Sequence, residues 1–142
     1  MANYYAIARS NYFAVKDEQA FREWASGLRL TVLTPDLSRT TADGVPRFGI
    51  TPGRGGDNGN WPDSIYDPDA DEIEEIDLAK QLAPHLADGE VAVLMAVGNE
   101  ALRYLTGTAI AVNSKGKTVS INLDTIYRSA RKLGPKLTRV EY

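Results

Sequence analysis

The run Val91-Ala92-Val93-Leu94-Met95-Ala96-Val97 constrains this chain more than any other stretch. In an extended backbone, successive side chains point to opposite faces. Val91, Val93, Met95 and Val97 then share one face, and Ala92, Leu94 and Ala96 share the other. A strand apolar on both faces predicts a central place in a sheet that is covered on both sides. The residues after it read as a meander. Gly98-Asn99 is a hairpin turn signal, Leu102 to Val112 returns as a long strand, Ser114-Lys115-Gly116 turns again, and Thr118 to Asn122 forms a further strand.

The segments on either side supply edges and helices. Residues 3–15, rich in Tyr, Phe, Ile and Val, read as a strand beside the meander. Asp17 is placed to cap a helix over 18–28, with Phe21, Trp24, Ala25 and Leu28 toward the core and Gly27 assisting its end. Leu30 to Leu33 and Val45 to Thr51 read as short strands around a polar loop over 36–46. Seven Gly and Pro residues between 52 and 70 predict a long loop, pinned by Trp61, Ile65 and Tyr66. A helix is expected from Asp71 or Glu72, its stripe formed by Ile73, Ile76, Ala79, Leu82, Ala83 and Leu86, with a kink at Pro84 and an end at Asp88-Gly89. A last helix over about 124–133, capped by Asn122 or Asp124, turns Leu123, Ile126, Tyr127, Ala130 and Leu133 inward. Leu137 to Tyr142 adds an edge strand. The expectation is one α+β domain over residues 1–142, with one mainly antiparallel sheet, two or three helices packed on it and a long Gly/Pro-rich loop at 52–70.

The composition excludes several chemistries. The 142 residues contain no cysteine, which rules out disulfides, thiolate metal sites and cysteine catalysis. Every apolar run is too short to span a bilayer, and the start of the chain lacks a signal-peptide layout, so a cytoplasmic protein with no membrane partner is expected. The net charge of −3 conceals strong segregation. Residues 57–90 hold eleven acidic and one basic side chain, whereas residues 91–142 hold three acidic and eight basic. An acidic segment of that density repels free nucleic acid and attracts proteins that grip phosphate backbones. The cations Arg128, Arg131 and Lys132 on the last helix are too few, in an acidic chain, to argue for direct nucleic-acid binding.

No complete catalytic or metal motif emerges. Ser114-Lys115-Gly116-Lys117-Thr118 lacks the preceding glycine of a phosphate-binding loop, since position 111 is Ala111, and a strand follows instead of a helix. The glycines of 53–59 miss the dinucleotide spacing at Asn58. Asp67, Asp69 and Asp71 open like a calcium loop, but Glu72 and Leu78 stand where it needs Gly and Glu. His85, the only histidine, has no triad partner or second ligand in sequence, and its place near a helix end suits an imidazolium for electrostatic reasons alone. No catalytic residue, metal or cofactor is therefore assigned. Arg9 and Asn11 pose a separate question, because the alternation that sets Tyr5, Ile7, Phe13 and Val15 on one face sets them there too. Three accounts are open: a bulge at Ser10 that shifts the register, a buried brace with Arg9 paired to a carboxylate such as Glu100, or a small-molecule or nucleotide pocket formed with Tyr12, Arg103 and Tyr104.

The segments NYYAIARSNYFAVKDEQAF, GEVAVLMAVGNEALRYLTGTAIAVN and TRVEY resemble a group of small, mostly uncharacterised bacterial proteins carried on phages, plasmids and other mobile elements. The resemblance extends over nearly the whole chain and carries no catalytic motif. That setting implies an anti-defence role such as anti-CRISPR inhibition. The expected function is a non-enzymatic inhibitor that binds a host protein or ribonucleoprotein complex through Asp67, Asp69, Asp71, Glu72, Glu74 and Glu75, as a mimic of nucleic-acid phosphates. The alternatives are a ligand-binding protein or modest enzyme built on the Arg9 pocket, and a homodimer joined through a sheet edge.

Overall fold

The computed structural model describes residues 4–35, 43–52, 59–100 and 104–141. The chain is α+β. Strand β1 (Tyr4–Ser10) pairs antiparallel with β6 (Val91–Glu100), which pairs with β7 (Tyr104–Asn113), which pairs with β8 (Thr118–Asn122). This four-stranded sheet has the order β1-β6-β7-β8, so the first strand lies beside the meander as its composition suggests. Two ribbons complete the strands: β2 (Leu30–Leu33) with β3 (Gly49–Pro52), and β4 (Ser64–Asp67) with β5 (Glu72–Glu75).

Helix α1 (Glu18–Gly27) begins where Asp17 accepts a hydrogen bond from the Ala20 N–H at 3.1 Å. A side-chain acceptor here satisfies one of the donors that every helix start leaves open. The helix ends at Arg29, which adopts φ 58°, so the left-handed residue lies two positions beyond Gly27. Helix α2 (Leu78–Leu82) is capped in the same way by Asp77 and passes into a tighter turn, Ala83–His85, at Pro84. Phe13, Phe21, Ile50, Leu82, Leu86 and Val112 are completely buried and form one core with Ala92 and Leu94. Both helices and the β2–β3 ribbon thus share one side of the main sheet.

The opposite side is open. The register rows Ile7↔Val97↔Gly107 and Arg9↔Met95↔Ala109↔Ile121 build one face across the four strands that is apolar except at Arg9. Ile7 is 75% exposed, Val97 58% and Val119 69%. Strand β6 is central, as its pattern requires, but it is covered on one face only. The helices among the described residues leave the other exposed.

Five further expectations are corrected. Residues 72–75 form a strand and not the start of a helix: Asp71 takes φ 51° and reverses the chain, so helix α2 starts six residues later at Leu78. Strand β4 lies inside the segment expected to be all loop. Gly98 and Asn99 do not turn but pair within the ladder with Thr106 and Leu105, so the connection falls in residues 101–103, outside the described residues. Helix α3 (Ile126–Ala130), flanked by tighter turns, leaves Leu123, Ile126 and Leu133 exposed instead of inward, and residues 137–141 form no strand. The tail instead folds back on α3, where the Val140 N–H donates to the Tyr127 hydroxyl at 2.7 Å.

Two ionisable groups tie this fold to pH. Glu90 accepts from the Ala14 N–H at 2.7 Å and from Arg47 Nε at 3.0 Å, while Arg47 also clasps Asp43 with both terminal nitrogens at 2.9 Å. The Ala14 N–H, with Arg47 adding to it, holds the Glu90 carboxyl below its ordinary value of 4.5. His85 packs with its ring centroid 5.2 Å from that of Trp24, and burial lowers its pKa from the ordinary 6.5 against the opposing pull of Asp17. Both shifts mean that the unfolded chain binds protons before the folded one, so stability falls as pH falls. Denaturant unfolding from pH 7 downward should show a first loss beginning near pH 6.5, which His85→Phe removes. A second loss should begin near pH 4.5 and shrink in Glu90→Gln. A flat wild-type profile between pH 7 and 5 would contradict the first assignment.

Candidate functional site

The acidic residues singled out in sequence lie on one hairpin. Register places Asp67 opposite Glu72 and Ile65 opposite Glu74, so Asp67, Glu72 and Glu74 share a face with Ile65. Glu75 lies on the other face with Tyr66 and Ile73, and Asp69 and Asp71 occupy the turn. All six carboxylates are exposed. Among the described residues none of them is in ion-pair contact with a lysine or arginine. The hairpin therefore carries a field of one sign that no cation among the described residues contacts.

Local hydrogen bonds fix the turn. Asp67 Oδ1 accepts from the N–H groups of Asp69 at 3.0 Å and Ala70 at 3.4 Å. This is the Asx-type contact that makes Asp favourable before a reversal. Asp71 Oδ1 accepts from the Tyr66 hydroxyl at 2.7 Å, and that bond raises the Tyr66 pKa above its ordinary value. Two of the six carboxylates thus shape the turn they sit on, while Glu72, Glu74 and Glu75 stand on the strand. At its base the hairpin is joined by the Ile76 N–H donating to the Asp63 carbonyl at 2.9 Å.

Between this hairpin and the end of α1 runs an open groove of about 500 Å³, walled by Arg29, Pro52, Trp61, Pro62 and Tyr66. The sequence reading did not single it out. Trp61 was expected only to pin the loop, and its indole N–H donates to the Met95 carbonyl at 3.2 Å. Arg29 carries no sequence signal at all, since its position depends on the left-handed exit of α1.

Among the described residues, the pocket expected around Arg9, Asn11, Tyr12 and Tyr104 is not brought together. Ser10 ends β1, and the strand's alternation stops there, so Tyr5, Ile7 and Arg9 face outward while Phe13 enters the core. Arg9 points to solvent beside Tyr12, its guanidinium carbon 5.6 Å from the ring centre. It pairs across the sheet with Met95, whereas Glu100 pairs with Tyr4 and Tyr104. Arg9 and Tyr104 are therefore about 17 Å apart along β6 and on opposite faces, given a rise of ~3.4 Å per residue. Arg103 lies outside the described residues.

Asn11 is a brace. Its Nδ2 donates to the Val91 carbonyl at 3.0 Å and its Oδ1 accepts from the Val93 N–H at 2.8 Å. Its own N–H donates to the Val93 carbonyl at 3.2 Å. The side-chain amide thus extends the β1–β6 ladder past the end of the strand. Ser10, buried at 3% exposure, acts beside it: its hydroxyl donates to the Asn11 carbonyl at 2.7 Å and accepts from the Ile50 N–H at 2.8 Å. Arg9 and Asn11 leave the core face because β1 ends at Ser10, not through a bulge; the buried Arg9–carboxylate brace is not formed, and it is Asn11, at an exposed position, that makes the bracing bonds. His85, stacked on Trp24 and edge-on to Phe21, serves packing in the same layer.

Among the described residues no helix is long and apolar enough to cross a membrane. Compared with known proteins, the chain matches no protein family, no curated protein and no solved structure.

The bracing role of Asn11 sets a contrast between neighbours. Asn11→Ala removes two hydrogen bonds of modest net worth and should lower the unfolding free energy by about 1–2 kcal/mol. Arg9→Ala, on an exposed position, should change it by about 0.5 kcal/mol or less. Urea denaturation of both variants checks this. Equal effects would contradict the assignment.

Proposed function

We propose that this chain is a non-enzymatic binding protein that uses its β4–β5 hairpin to occupy a cationic, phosphate-gripping surface of a host defence nucleoprotein complex, in the manner of an anti-CRISPR inhibitor acting in the cytoplasm. The observation that carries the reading is the gathering of Asp67, Asp69, Asp71, Glu72, Glu74 and Glu75 on one exposed hairpin without cationic partners among the described residues. A two-stranded ribbon presents carboxylates at regular spacing on a narrow support, a form suited to entering a groove made for a nucleic-acid strand. Such binding is steered by charge and weakens as salt rises. The resemblance to mobile-element proteins supplies the choice of a defence complex as partner.

The test is affinity capture from host cells that contain a nucleic-acid-guided defence complex. The wild-type chain should retain the complex at low salt. The combined variant Asp71→Lys, Glu72→Lys, Glu74→Lys and Glu75→Lys should lose it while keeping the wild-type circular dichroism spectrum. Capture that is unchanged by the charge reversal would remove the acidic hairpin from the contact.

A further inference from the structure

The outer face of the main sheet is apolar, broad and almost uncharged. Tyr5 and Ile7 of β1, Met95 and Val97 of β6, and Val119 and Ile121 of β8 all project from it and are exposed. Between the rows from β6 and β8 lie Gly107, Ala109 and Ala111 of β7, which give the face a shallow trough. Leu123 closes the trough at one end, its Cγ 3.0 Å from where a Cβ on Gly107 would sit. Arg9 is the single charged side chain in these rows.

We infer that this face is the interface of a homodimer in which two copies of the chain pack their four-stranded sheets against each other. Area is the first argument. A large apolar side chain carries roughly 100 Å² of accessible surface, on the scale that relates buried area to transfer energy. The face with Val91 and Leu123 included then offers roughly 600–800 Å². That is above the ~300–600 Å² of the largest patch on a typical monomer. It matches the ~800 Å² that each partner contributes to a stable interface.

Relief is the second argument. A two-fold interface must be complementary to itself, and here ridge and trough lie side by side on one surface. The Met95–Val97 ridge of one copy is matched in chemistry and spacing by the small-residue trough of the other. Sheets packed face to face stand ~10 Å apart, with side chains interleaved in this way.

Charge is the third. The chain is acidic overall, but no carboxylate stands in the described rows of this face: Glu100 of β6 has the opposite parity and six others project from the hairpin outside this sheet, so two copies meet here without like-charge repulsion. An anionic lipid surface or a nucleic acid would find one arginine to hold it. The dimer also accounts for β6, whose two apolar faces are those of a strand covered on both sides. The inference is independent of the acidic hairpin's role, although a dimer would present two such hairpins.

Light scattering of the purified full chain tests it. The expected mass at high micromolar concentration is twice the 15.5 kDa of one chain. The variant Val97→Lys with Ile121→Lys, at positions open to solvent in one chain, should return to the mass of one chain with an unchanged circular dichroism spectrum. A wild-type mass of 15.5 kDa overturns the inference, and so does a folded double variant that keeps the doubled mass. Because the chain has no cysteine, Ala109→Cys gives a reading that does not depend on the lysine variant folding. Its alkylation by a maleimide should slow several-fold at concentrations where the mass is doubled and recover on dilution. Alkylation at one rate throughout overturns the face as the interface.

Discussion

Two polar side chains replace backbone pairing at the point where β1 leaves the sheet, and the arrangement of the layers depends on that substitution. Ser10 reaches across to the Ile50 N–H, and Asn11 holds the Val91 carbonyl and the Val93 N–H. A peptide group left without a partner in a packed interior costs more than a paired one gains. With the buried Ile50 N–H satisfied by Ser10, the chain departs from the ladder without that cost, and the more exposed Asn11 bonds hold the neighbouring Val91 and Val93 groups of β6. Phe13 then exchanges both backbone hydrogen bonds with Phe48 at 2.9 Å, and Val15 bridges to Leu86. One segment of six residues therefore belongs first to the sheet and then to the layer that covers it.

The same departure makes the sheet one-sided. Once Phe13 turns inward, α1, α2 and the β2–β3 ribbon all collect on the face of Ala8, Leu94 and Val112. Among the described residues no comparable layer covers Ile7, Val97 and Ile121, which are exposed. The molecule has two surfaces of contrasting chemistry as a result: an apolar sheet face suited to a second copy, and an acidic ribbon outside that sheet suited to a cationic partner. In the proposed reading the first sets how many ribbons are presented together, and the second sets what they meet. Two ribbons on one particle would raise the apparent affinity for a partner with repeated cationic sites, provided that the geometry lets both engage.

Much of this was legible in sequence where local rules act alone. Asp17 marks the start of α1, the 3.6-residue spacing of Phe21, Ala25 and Leu28 marks its inner side, and Ser114 to Gly116 mark the β7–β8 turn. The misreadings occurred where distant groups decide. Ile73 and Ile76 fit a helical stripe among good helix formers, but the Tyr66–Asp71 bond and the left-handed Asp71 make the segment a hairpin. Arg9 and Asn11 share parity with Phe13 only if β1 continues unbroken, and the break depends on Ile50 and Val93, which are remote in the chain. The twofold apolar pattern of β6 is present, but among the described residues only its Ala92, Leu94 and Ala96 face is covered. Of the candidate site, the six carboxylates were visible as a charge run, whereas their common support and the groove beside Trp61 required the tertiary structure.

Residue-resolved amide hydrogen exchange tests the substitution at Ser10 and Asn11 most directly. The Ile50 and Val93 N–H groups donate to side chains there. Protection of both at the level of the β6–β7 ladder amides is the expected result, because they would then open only with the sheet itself. Exchange of either at rates near those of an unfolded chain, with the ladder still protected, would contradict the claim that these two side chains hold the layers together.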